Sequence, residues 1–510
     1  MTAHRATWCA TSGFRSRPDL VVIALLLAGS VAVRLRWLDR PLLGDELISF
    51  SNMVLGRSFH DIVFGPFDSN NHVLNSIVMK AVYLGFGEAP VLMRLPNLLM
   101  VLTAVVLLYI SGSRILGRAG GLAAALLLAF HPAMVLYSVS CRGYAGMVLF
   151  TLVSSVLMLE LLRAWSRPRW IACALSGVVA CGFHLFSINV LIAQILLVTF
   201  AVVRPAGDKP SRPGRVALAP IAALTSVVAL SAPAFVHAGS GERFPFQAAF
   251  PAALVNFLGG HAYRTALDVP SVLLAIAAVA GCLGLARHLH LRRYAVLLFV
   301  SPAALYALSF LAPVFTLHPR FFCFLLPLFC LLLAAAARLA ISWADAATPA
   351  GSSARPLIRI VAASFVVLTV LTFADRIRIP RSDWLVRAQT EVREFIAAHP
   401  GAVILTNDPG FVRVRLRQER NMDRIRPALG VKAIRAVLAD QPDAKVYVIY
   451  VPRKRLTESD LIHHKGTVAP EVLYRRDDWL RGYLERNGTV VVALEPRMFI
   501  YALASERPQQ

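Results

Sequence analysis

Two adjacent carboxylates are the residues of this chain best placed to do chemistry. Asp45 and Glu46 follow the apolar run 20–38, and about 20 such residues span the hydrocarbon core of a bilayer. A charge at a lipid–water boundary costs desolvation free energy and is tolerated mainly where it has a function. A carboxylate in that place can accept a proton as a general base. The structural alternative is that Asp45 or Glu46 caps the helix that begins there.

Three arginines and four ring-bearing residues extend the set of candidates. They are Arg94, Arg142 and Arg320, and the rings of His72, Tyr144, His184 and His318. A guanidinium group presents a planar fork of donors that fits phosphate oxygens, so each arginine is a candidate phosphate ligand. Headgroup anchoring is the alternative for the arginines, and packing at the interface is the alternative for the rings.

The composition is that of a membrane protein. Of the 510 residues, 57% are apolar and only 16% are charged, and the mean hydropathy is +0.62. A soluble protein of this size could not bury so much apolar surface. The formal charge is +23, but most basic residues lie in short loops between apolar runs. Membrane topology and anionic headgroups explain such charges, so no nucleic-acid partner is expected.

Eleven apolar runs predict eleven membrane-spanning helices. They lie near residues 20–38, 91–110, 120–139, 143–162, 170–186, 188–203, 217–237, 269–286, 294–312, 321–341 and 357–374. Short cytoplasmic loops are enriched in Lys and Arg. With the N-terminus inside, every inner loop of this chain is basic. This orientation places the carboxylate pair and the C-terminal region outside.

Two of the predicted outer loops are long, at residues 39–90 and 238–268. The first contains the apolar stretch Val73 to Phe86, which is too short to span a membrane and predicts a helix lying in the interface. Interfacial helices over a carboxylate would suit a site that takes one substrate from lipid and another from water.

The apolar runs stop near residue 375, and the charge density rises after it. Residues 1–375 are therefore predicted to form a membrane domain, and residues 376–510 a small extracytoplasmic α/β domain. The expected helices are 383–398, 429–439 and 469–486, and the expected strands are 402–406, 444–451, 489–494 and 498–502. The basic surface of this domain either contacts anionic headgroups or is simply solvated.

Several common catalytic and cofactor motifs are absent from the sequence. There is no glycine-rich phosphate loop, no His-Glu-x-x-His and no Gly-x-Ser-x-Gly. Most of the seven cysteines lie inside predicted spans, where packing is expected rather than disulfide formation or metal ligation. The sequence therefore predicts no nucleotide, no cofactor and no metal ion.

Four pieces of sequence occur in a recognisable order across residues 20–330. They are Asp45-Glu46, the stretch from Asn70-Asn71-His72 to Arg94-Leu95-Pro96-Asn97, Arg142-Gly143-Tyr144 followed by His184, and His318-Pro319-Arg320-Phe321-Phe322. Together they resemble bacterial membrane glycosyltransferases of the GT-C fold that use polyprenyl-phosphate sugars. The aminoarabinose and protein O-mannosyl transferases of family 39 are the nearest in pattern. Phe321 stands where these relatives usually carry Tyr.

The resemblance implies an all-α polytopic protein of the bacterial inner membrane, with its C-terminal domain outside. It implies inverting transfer of a sugar from a polyprenyl-phosphate donor to a lipid, glycan or protein of the envelope. Asp45 would be the base and Glu46 would orient it or bind substrate. The donor phosphate and sugar would contact Arg320, Arg94, Arg142, His72, His318, Tyr144 and His184.

A polytopic transporter or flippase is the alternative from another functional class. Transporters usually contain inverted repeats and ionisable residues at mid-bilayer, and neither is evident in this sequence. A scaffold with the outer domain as its binding module would leave Asp45, Glu46 and Arg320 without a role. The pattern therefore favours an enzyme.

Overall fold

The structure is a computed structural model in which most of the chain can be described. The described residues are 17–40, 42, 45–65, 71–203, 213–236, 250–261, 267–285, 319–348, 354–377, 394–400, 402–406, 425–427, 431–440, 445–450, 484–486, 488–494 and 498–503. The chain divides into two compact units. The first comprises residues 1–42 and 53–379, and the second comprises residues 43–52 and 380–510.

All regular secondary structure among the described residues of the first unit is helical. In chain order the helical elements up to residue 377 are α1 (Arg17–Leu38), α2 (Asp45–Ser49), a π-helical turn (Phe50–Leu55), α3 (Phe59–Phe64), α4 (Val73–Phe86), α5 (Pro90–Phe130), α6 (Pro132–Ser138), α7 (Tyr144–Arg163), α8 (Arg167–Phe183), a 3₁₀ turn (Leu185–Ser187), α9 (Ile188–Val203), α10 (Pro213–Val236), α11 (Phe250–Leu258), α12 (Val269–Leu285), a 3₁₀ segment (Pro319–Leu325), α13 (Leu326–Ala347) and α14 (Ala354–Arg376). Among these, α2 belongs to the second unit.

Helix α5 is 41 residues long because it joins two helices across a break at Gly117. Gly117 has φ 79° and ψ 168°, a left-handed conformation that glycine adopts without steric cost. The predicted spans 91–110 and 120–139 therefore correspond largely to the two parts of α5, which fold back on each other at this break, because a Cβ atom on Gly112 would lie 3.1 Å from the Cα of Gly121.

The second part of α5 ends at Phe130, nine residues before the end of the predicted span at 139. The cause is Pro132, which lacks a backbone N–H and therefore favours the first position of a new helix. His131 caps that helix, α6, and its Nδ1 accepts a hydrogen bond from the N–H of Ala133 at 3.2 Å.

The core of the first unit forms where α5, α7 and α13 pack together. Leu108 of α5, Met147 of α7 and Leu333 of α13 are almost fully buried in one apolar cluster. Burying each such side chain contributes about 1.5–3 kcal/mol relative to exposure in water, while within a bilayer close packing matters more.

Arg34 fastens α1 to this core, and its side chain is fully buried. Its Nε donates to Ser138 Oγ and its Nη2 donates to the carbonyl of Ala129, each at 2.7 Å. Its Nη1 donates to the carbonyl and hydroxyl oxygens of Ser30, also at 2.7 Å. The guanidinium thus joins α1 to the end of α5 and to α6.

Within the part of the chain that the structure describes, five helices are long and apolar enough to cross a membrane. They are Asp19–Leu38, Pro90–Phe130, Tyr144–Arg163, Pro319–Ala347 and Ala354–Arg376. Shorter apolar helices occupy Val73–Phe86, Leu185–Thr199, Gly214–Ala229 and Val269–Leu283. Large apolar side chains remain exposed on these helices, including Leu25, Leu283 and Leu368, as contact with lipid requires.

The mostly helical fold with several apolar helices that the sequence predicts is confirmed, and the protein is a multi-pass membrane protein. That eleven helices cross the bilayer stays a prediction. The predicted span 294–312 lies outside the described residues. The predicted helix Val73–Phe86 is present with those bounds as α4.

The second unit contains a five-stranded mixed sheet. Its strands are β1 (Val403–Thr406), β2 (Ile425–Pro427), β3 (Val446–Tyr450), β4 (Gly488–Leu494) and β5 (Met498–Leu503), in the order β2-β1-β3-β5-β4. β1 is parallel to β2 and β3, and β5 is antiparallel to β3 and β4. A helix, α15 (Val431–Asp440), packs Ile434 against Leu405 and Val448 of the sheet.

Four of these strands lie where the sequence predicts strands, and β2 was not predicted. The predicted helix 429–439 corresponds to α15. Only residues 394–398 and 484–486 of the other two predicted helices fall in described positions, and both stretches are helical. That this unit folds as an extracytoplasmic domain beginning at residue 376 stays a prediction.

Candidate active site

Separate segments of the first unit bring together a set of histidine, arginine and aromatic side chains. We call it the histidine–arginine cluster, and it consists of His72 before α4, Arg142 and Tyr144 around the start of α7, His184 after α8, and Arg320 and Phe321 in the 3₁₀ segment. The sequence analysis named all of these residues except Phe321 as candidate site residues.

Three rings form the centre of the histidine–arginine cluster. The ring centroids of His72 and His184 are 4.7 Å apart, and the ring of Tyr144 lies 5.6 Å from His72 and 5.1 Å from His184. All three side chains are more than nine-tenths buried. The two histidines are therefore neighbours within one buried pocket of side chains.

An aromatic wall extends this centre. Phe186 and Phe321 stack with their ring centroids 4.5 Å apart, and both lie near His184, at 5.6 Å and 5.3 Å. Aromatic faces of this kind contact the apolar C–H surface of a ligand and exclude water from polar groups beside them. Phe186 was missed by the sequence analysis because a phenylalanine in an apolar region carries no distinguishing signal.

Two asparagines hold the turn that carries Arg142. Asn97 of α5 donates from Nδ2 to the carbonyls of Ser140 (2.6 Å) and Arg142 (3.1 Å), and Asn75 of α4 donates to the carbonyl of Cys141 at 2.9 Å. These bonds satisfy backbone groups that the turn leaves without helical partners. Asn75 and Asn97 were not named as site residues, although an asparagine within an apolar helix is the signal that could have indicated them.

Gly143 allows the close approach of this turn to the end of α8. A Cβ atom at this position would lie 1.8 Å from the carbonyl oxygen of Phe183 and 3.1 Å from Cβ of His72. Its φ of −66° is ordinary, so glycine is needed here because there is no room for a side chain, and not because of an unusual backbone conformation. Glycine at 143 is thus what lets Arg142 and Tyr144 reach the two histidines.

The histidine–arginine cluster carries its positive charge on arginine rather than on histidine. Burial lowers the pKa of His72 well below its ordinary value, and the nearby charges of Arg142 and Arg320 lower it further. Burial of the His184 ring and the charges of the same two guanidinium groups also disfavour a second proton on that ring. His72 is therefore neutral near pH 7, and the two guanidinium groups favour an anion such as phosphate as ligand.

The remaining predicted residues are placed differently. Arg94 is fully buried, and its Nη1 donates to the carbonyl of Leu38 at 2.8 Å and to that of Arg40. These contacts anchor the end of α1, so the structure gives Arg94 a helix-anchoring position. His318 lies outside the described residues.

Asp45 and Glu46 form the first turn of α2, in the second unit. Glu46 is buried, with 4% of its surface exposed, whereas Asp45 is partly exposed. Carboxylates in the first turn also interact favourably with a helix N-terminus, so the capping alternative from the sequence remains open.

Lys80 holds the segment that follows the carboxylate pair, and the sequence analysis did not select it. Its Nζ donates to the carbonyls of Val54 (2.8 Å) and Arg57 (2.7 Å). The π-helical turn ends at Leu55, so the ammonium group binds carbonyls near a helix C-terminus, where a cation is favourable.

Metal ligation has no candidate group in the parts of the chain listed above as described. No set of three or more His, Cys, Asp or Glu side chains lies close enough there to hold a metal ion. The expectation that the protein uses no metal or cofactor stays a prediction.

Comparison with known families identifies one match. Residues 74–235 match the family described as dolichyl-phosphate-mannose-protein mannosyltransferase. This stretch includes α5, α7 and α8 and therefore Arg142, Tyr144 and His184. No curated protein matches the chain.

Solved structures of similar fold cover nearly the whole chain. ArnT from Cupriavidus metallidurans in the apo state has a TM-score of 0.58 and 13% identity, covering 95% of this chain and 98% of that one. The same protein bound to undecaprenyl phosphate also has a TM-score of 0.58. The archaeal oligosaccharyltransferase AglB from Archaeoglobus fulgidus, in complex with an inhibitory peptide and a dolichol-phosphate, has a TM-score of 0.56 and 11% identity. It covers 97% of this chain and 75% of its own.

Proposed function

We propose which donor and which base this chain uses, and that transfer inverts the anomeric centre. The premise is that the chain is a membrane glycosyltransferase of the GT-C fold, similar to the family 39 enzymes. In the proposed reaction a sugar moves from a polyprenyl-phosphate donor to a hydroxyl group of an envelope lipid, glycan or protein. The reaction takes place at the outer face of a bacterial inner membrane.

The observation that carries this proposal is the convergence of Arg142 and Arg320 on two neutral histidines. Two guanidinium groups beside buried rings suit a phosphate diester whose sugar enters a pocket protected from water. In similar structures, undecaprenyl phosphate is bound to ArnT and dolichol-phosphate to AglB. These bound lipid phosphates support the same class of donor for this chain.

The proposed mechanism is a direct displacement. The acceptor hydroxyl oxygen bonds to the anomeric carbon as its proton passes to the Asp45 carboxylate. The bond between the anomeric carbon and the phosphate oxygen breaks, and polyprenyl phosphate leaves with the electron pair. Arg142 and Arg320 stabilise the charge on that phosphate. A single displacement inverts the anomeric centre.

Asp45 is favoured over Glu46 as the base because of their exposure. Glu46 is 4% exposed, while Asp45 is partly exposed and so can meet an acceptor that arrives from water. Glu46 then orients Asp45 or binds substrate. The Lys and Arg content of the predicted inner loops supports an outer position for the pair and for residues 376–510.

The test is Asp45→Asn, which is nearly isosteric, keeps capping ability and removes only the basic carboxylate. In a deletion strain complemented with each variant, mass spectrometry of envelope glycolipids and glycoproteins identifies the product, and transfer should fall by about 10²–10⁴-fold. Glu46→Gln, tested in parallel, separates the two carboxylates.

Asp61→Asn is the matched control for this test. Asp61 lies in the same predicted loop and forms a capping box with Ser58 at the start of α3, so its amide variant should transfer normally. Normal transfer by Asp45→Asn, at unchanged protein level in the membrane, would remove Asp45 from the role of base.

A further inference from the structure

Each of the two histidines in the histidine–arginine cluster has one buried ring nitrogen that lacks a hydrogen-bond partner among the described residues. These nitrogens are Nε2 of His72 and Nε2 of His184. The side chains are 6% and 5% exposed, and the ring planes are inclined at 44° to each other. A buried polar group without a partner costs about 1–3 kcal/mol, so such atoms indicate a position where a ligand supplies the partner.

The backbone fixes opposite tautomers for these two rings. Nδ1 of His72 lies 3.1 Å from the carbonyl oxygen of Phe183, and since a carbonyl only accepts, Nδ1 carries the proton. Nδ1 of His184 instead accepts from the backbone N–H of Phe186 at 3.3 Å. In the neutral rings, Nε2 of His72 is therefore an acceptor, and Nε2 of His184 is a donor.

We propose that His72 and His184 together bind one hydroxyl group of the transferred sugar. The hydroxyl donates its proton to Nε2 of His72, and its oxygen accepts from Nε2–H of His184. This inference rests on the proposed function, because it assigns the sugar moiety of the donor to this pair and leaves the phosphate to Arg142 and Arg320.

Other ligands match the pair less well. A phosphate oxygen of the diester only accepts, so it would satisfy His184 but would face the lone pair of His72. An ammonium group only donates, and it would be repelled by the charges of Arg142 and Arg320. A metal ion would need lone pairs from both rings and would meet the same repulsion. A hydroxyl group is donor and acceptor at once.

The test compares ligands with and without a sugar on the full-length protein in detergent. The probes are farnesyl phosphate and farnesyl-phosphoryl glucose, galactose, mannose and arabinose, with dissociation constants measured by titration calorimetry. In the wild type at least one sugar should increase the affinity over farnesyl phosphate by about 10- to 100-fold, the value of two hydrogen bonds in a dry site. His72→Ala and His184→Ala should each lower the affinity of that sugar-bearing probe toward that of farnesyl phosphate.

His131→Asn is the matched control, because His131 is an equally buried histidine whose two ring nitrogens already contact backbone groups. It should keep the sugar-dependent gain. His184→Gln, which offers an amide N–H near the position of Nε2, should recover part of it. Nitrogen-15 spectra of the wild type, assigned by comparison with His72→Gln and His184→Gln, should show a protonated Nδ1 in His72 and a protonated Nε2 in His184.

The possible outcomes separate this inference from the proposed function. An equal loss of affinity for farnesyl phosphate and for every sugar-bearing probe would assign the histidines to the phosphate and overturn the inference. The absence of any sugar-dependent gain in the wild type, or the same tautomer in both rings, would also overturn it. Failure of the wild type to bind farnesyl phosphate would instead overturn the proposed function.

Discussion

Among the described residues of the first unit, two regions contain buried histidines, and the two regions use them differently. In the helix-anchoring region, made of His131, Gly259, Gly260, Asp268, Phe373 and Arg376, Nδ1 of His131 accepts from Ala133 and its Nε2 contacts the carbonyl of Leu258 at 3.0 Å. In the histidine–arginine cluster, each histidine contacts the backbone through one nitrogen only. Burial is therefore similar for these three histidines, but His72 and His184 each keep one ring nitrogen for a ligand, whereas both ring nitrogens of His131 contact the backbone.

The charges of the helix-anchoring region are also paired within the protein. Nη2 of Arg376 lies 2.6 Å from Oδ2 of Asp268, and its Nη1 donates to the carbonyl of Gly259 and to Ser271 Oγ. These bonds join α14 to α11 and α12. Substitutions there should lower the free energy of unfolding, whereas substitutions in the histidine–arginine cluster should lower ligand binding and turnover.

Within this comparison of the two regions, the largest expected effect is that of Arg320→Ala. Removing a group that stabilises charge on the leaving phosphate should lower the rate of transfer by about 10²–10³-fold, with little change in melting temperature. Arg320→Lys keeps the charge but loses the planar fork, so it should recover only part of the rate. Arg359→Ala, which breaks an exposed pair with Asp345, is the control. Wild-type kinetics in Arg320→Ala would remove the contrast between the two regions.

The second effect is that of Arg376→Met, measured as thermal unfolding in detergent. Because it leaves Asp268 without its closest cation at 13% side-chain exposure, we expect a loss of about 3 kcal/mol in the free energy of unfolding. Transfer per folded molecule should be kept. The double change with Asp268→Asn should cost less than Arg376→Met alone. A fall in specific activity at unchanged stability would show that this region serves the ligand.

A third effect compares two glycines, one between Arg142 and Tyr144 of the histidine–arginine cluster and one in the helix-anchoring region. Gly143→Ala forces the turn away from Phe183, because its Cβ would lie 1.8 Å from that carbonyl oxygen, so donor affinity should fall by about 10-fold, as expected for a small misplacement of binding groups. Gly260 has φ 101°, and Gly260→Ala should cost about 1–3 kcal/mol of stability through backbone strain. Equal effects of the two variants on farnesyl phosphate binding would contradict the division.

The smallest expected effect is in the pH dependence of donor binding. Since the pKa of His72 is well below its ordinary value, this ring stays neutral as the pH falls through about 6.5, where an ordinary histidine gains its proton. Binding of farnesyl-phosphoryl sugars should therefore show no step there and should weaken only at lower pH, when His72 becomes protonated. A step near pH 6.5 that disappears in His72→Gln would contradict the neutral form.

Helix positions and the residue types of the cluster could be predicted from the sequence, because they depend on local pattern. The bounds of α4 follow from an apolar run that begins after His72 and ends at Gly87. The sequence predicts an interruption between residues 110 and 120, but not that Gly117 makes it with a positive φ, since a glycine does not reveal its φ. The short strand β2 is at the edge of the sheet, next to β1, and has little pattern of its own.

The roles of individual site residues could not be predicted, because they depend on partners far away in sequence. Arg94, Arg142 and Arg320 look alike as arginines on the predicted outer side, and the hydrogen bonds of Arg94 to the carbonyls of Leu38 and Arg40 are visible only in the structure. The tautomer of His72 depends on Phe183, which is 111 positions away. Asn75 and Asn97 matter only because the turn 140–142 lies against them.

The bonds of Arg34 have a consequence for the biogenesis of the protein. An arginine inside a membrane helix costs up to about 3 kcal/mol to insert, and the partners of Arg34 outside its own helix, Ala129 and Ser138, are synthesised 95 and 104 residues later. At about 5–20 residues per second, the ribosome needs about 5–20 s to supply them. During that time Arg34 has no partner outside α1, and its side chain extends toward the headgroups. The final depth of α1 in the bilayer is therefore set only when α5 and α6 arrive, although α1 is made before both of them.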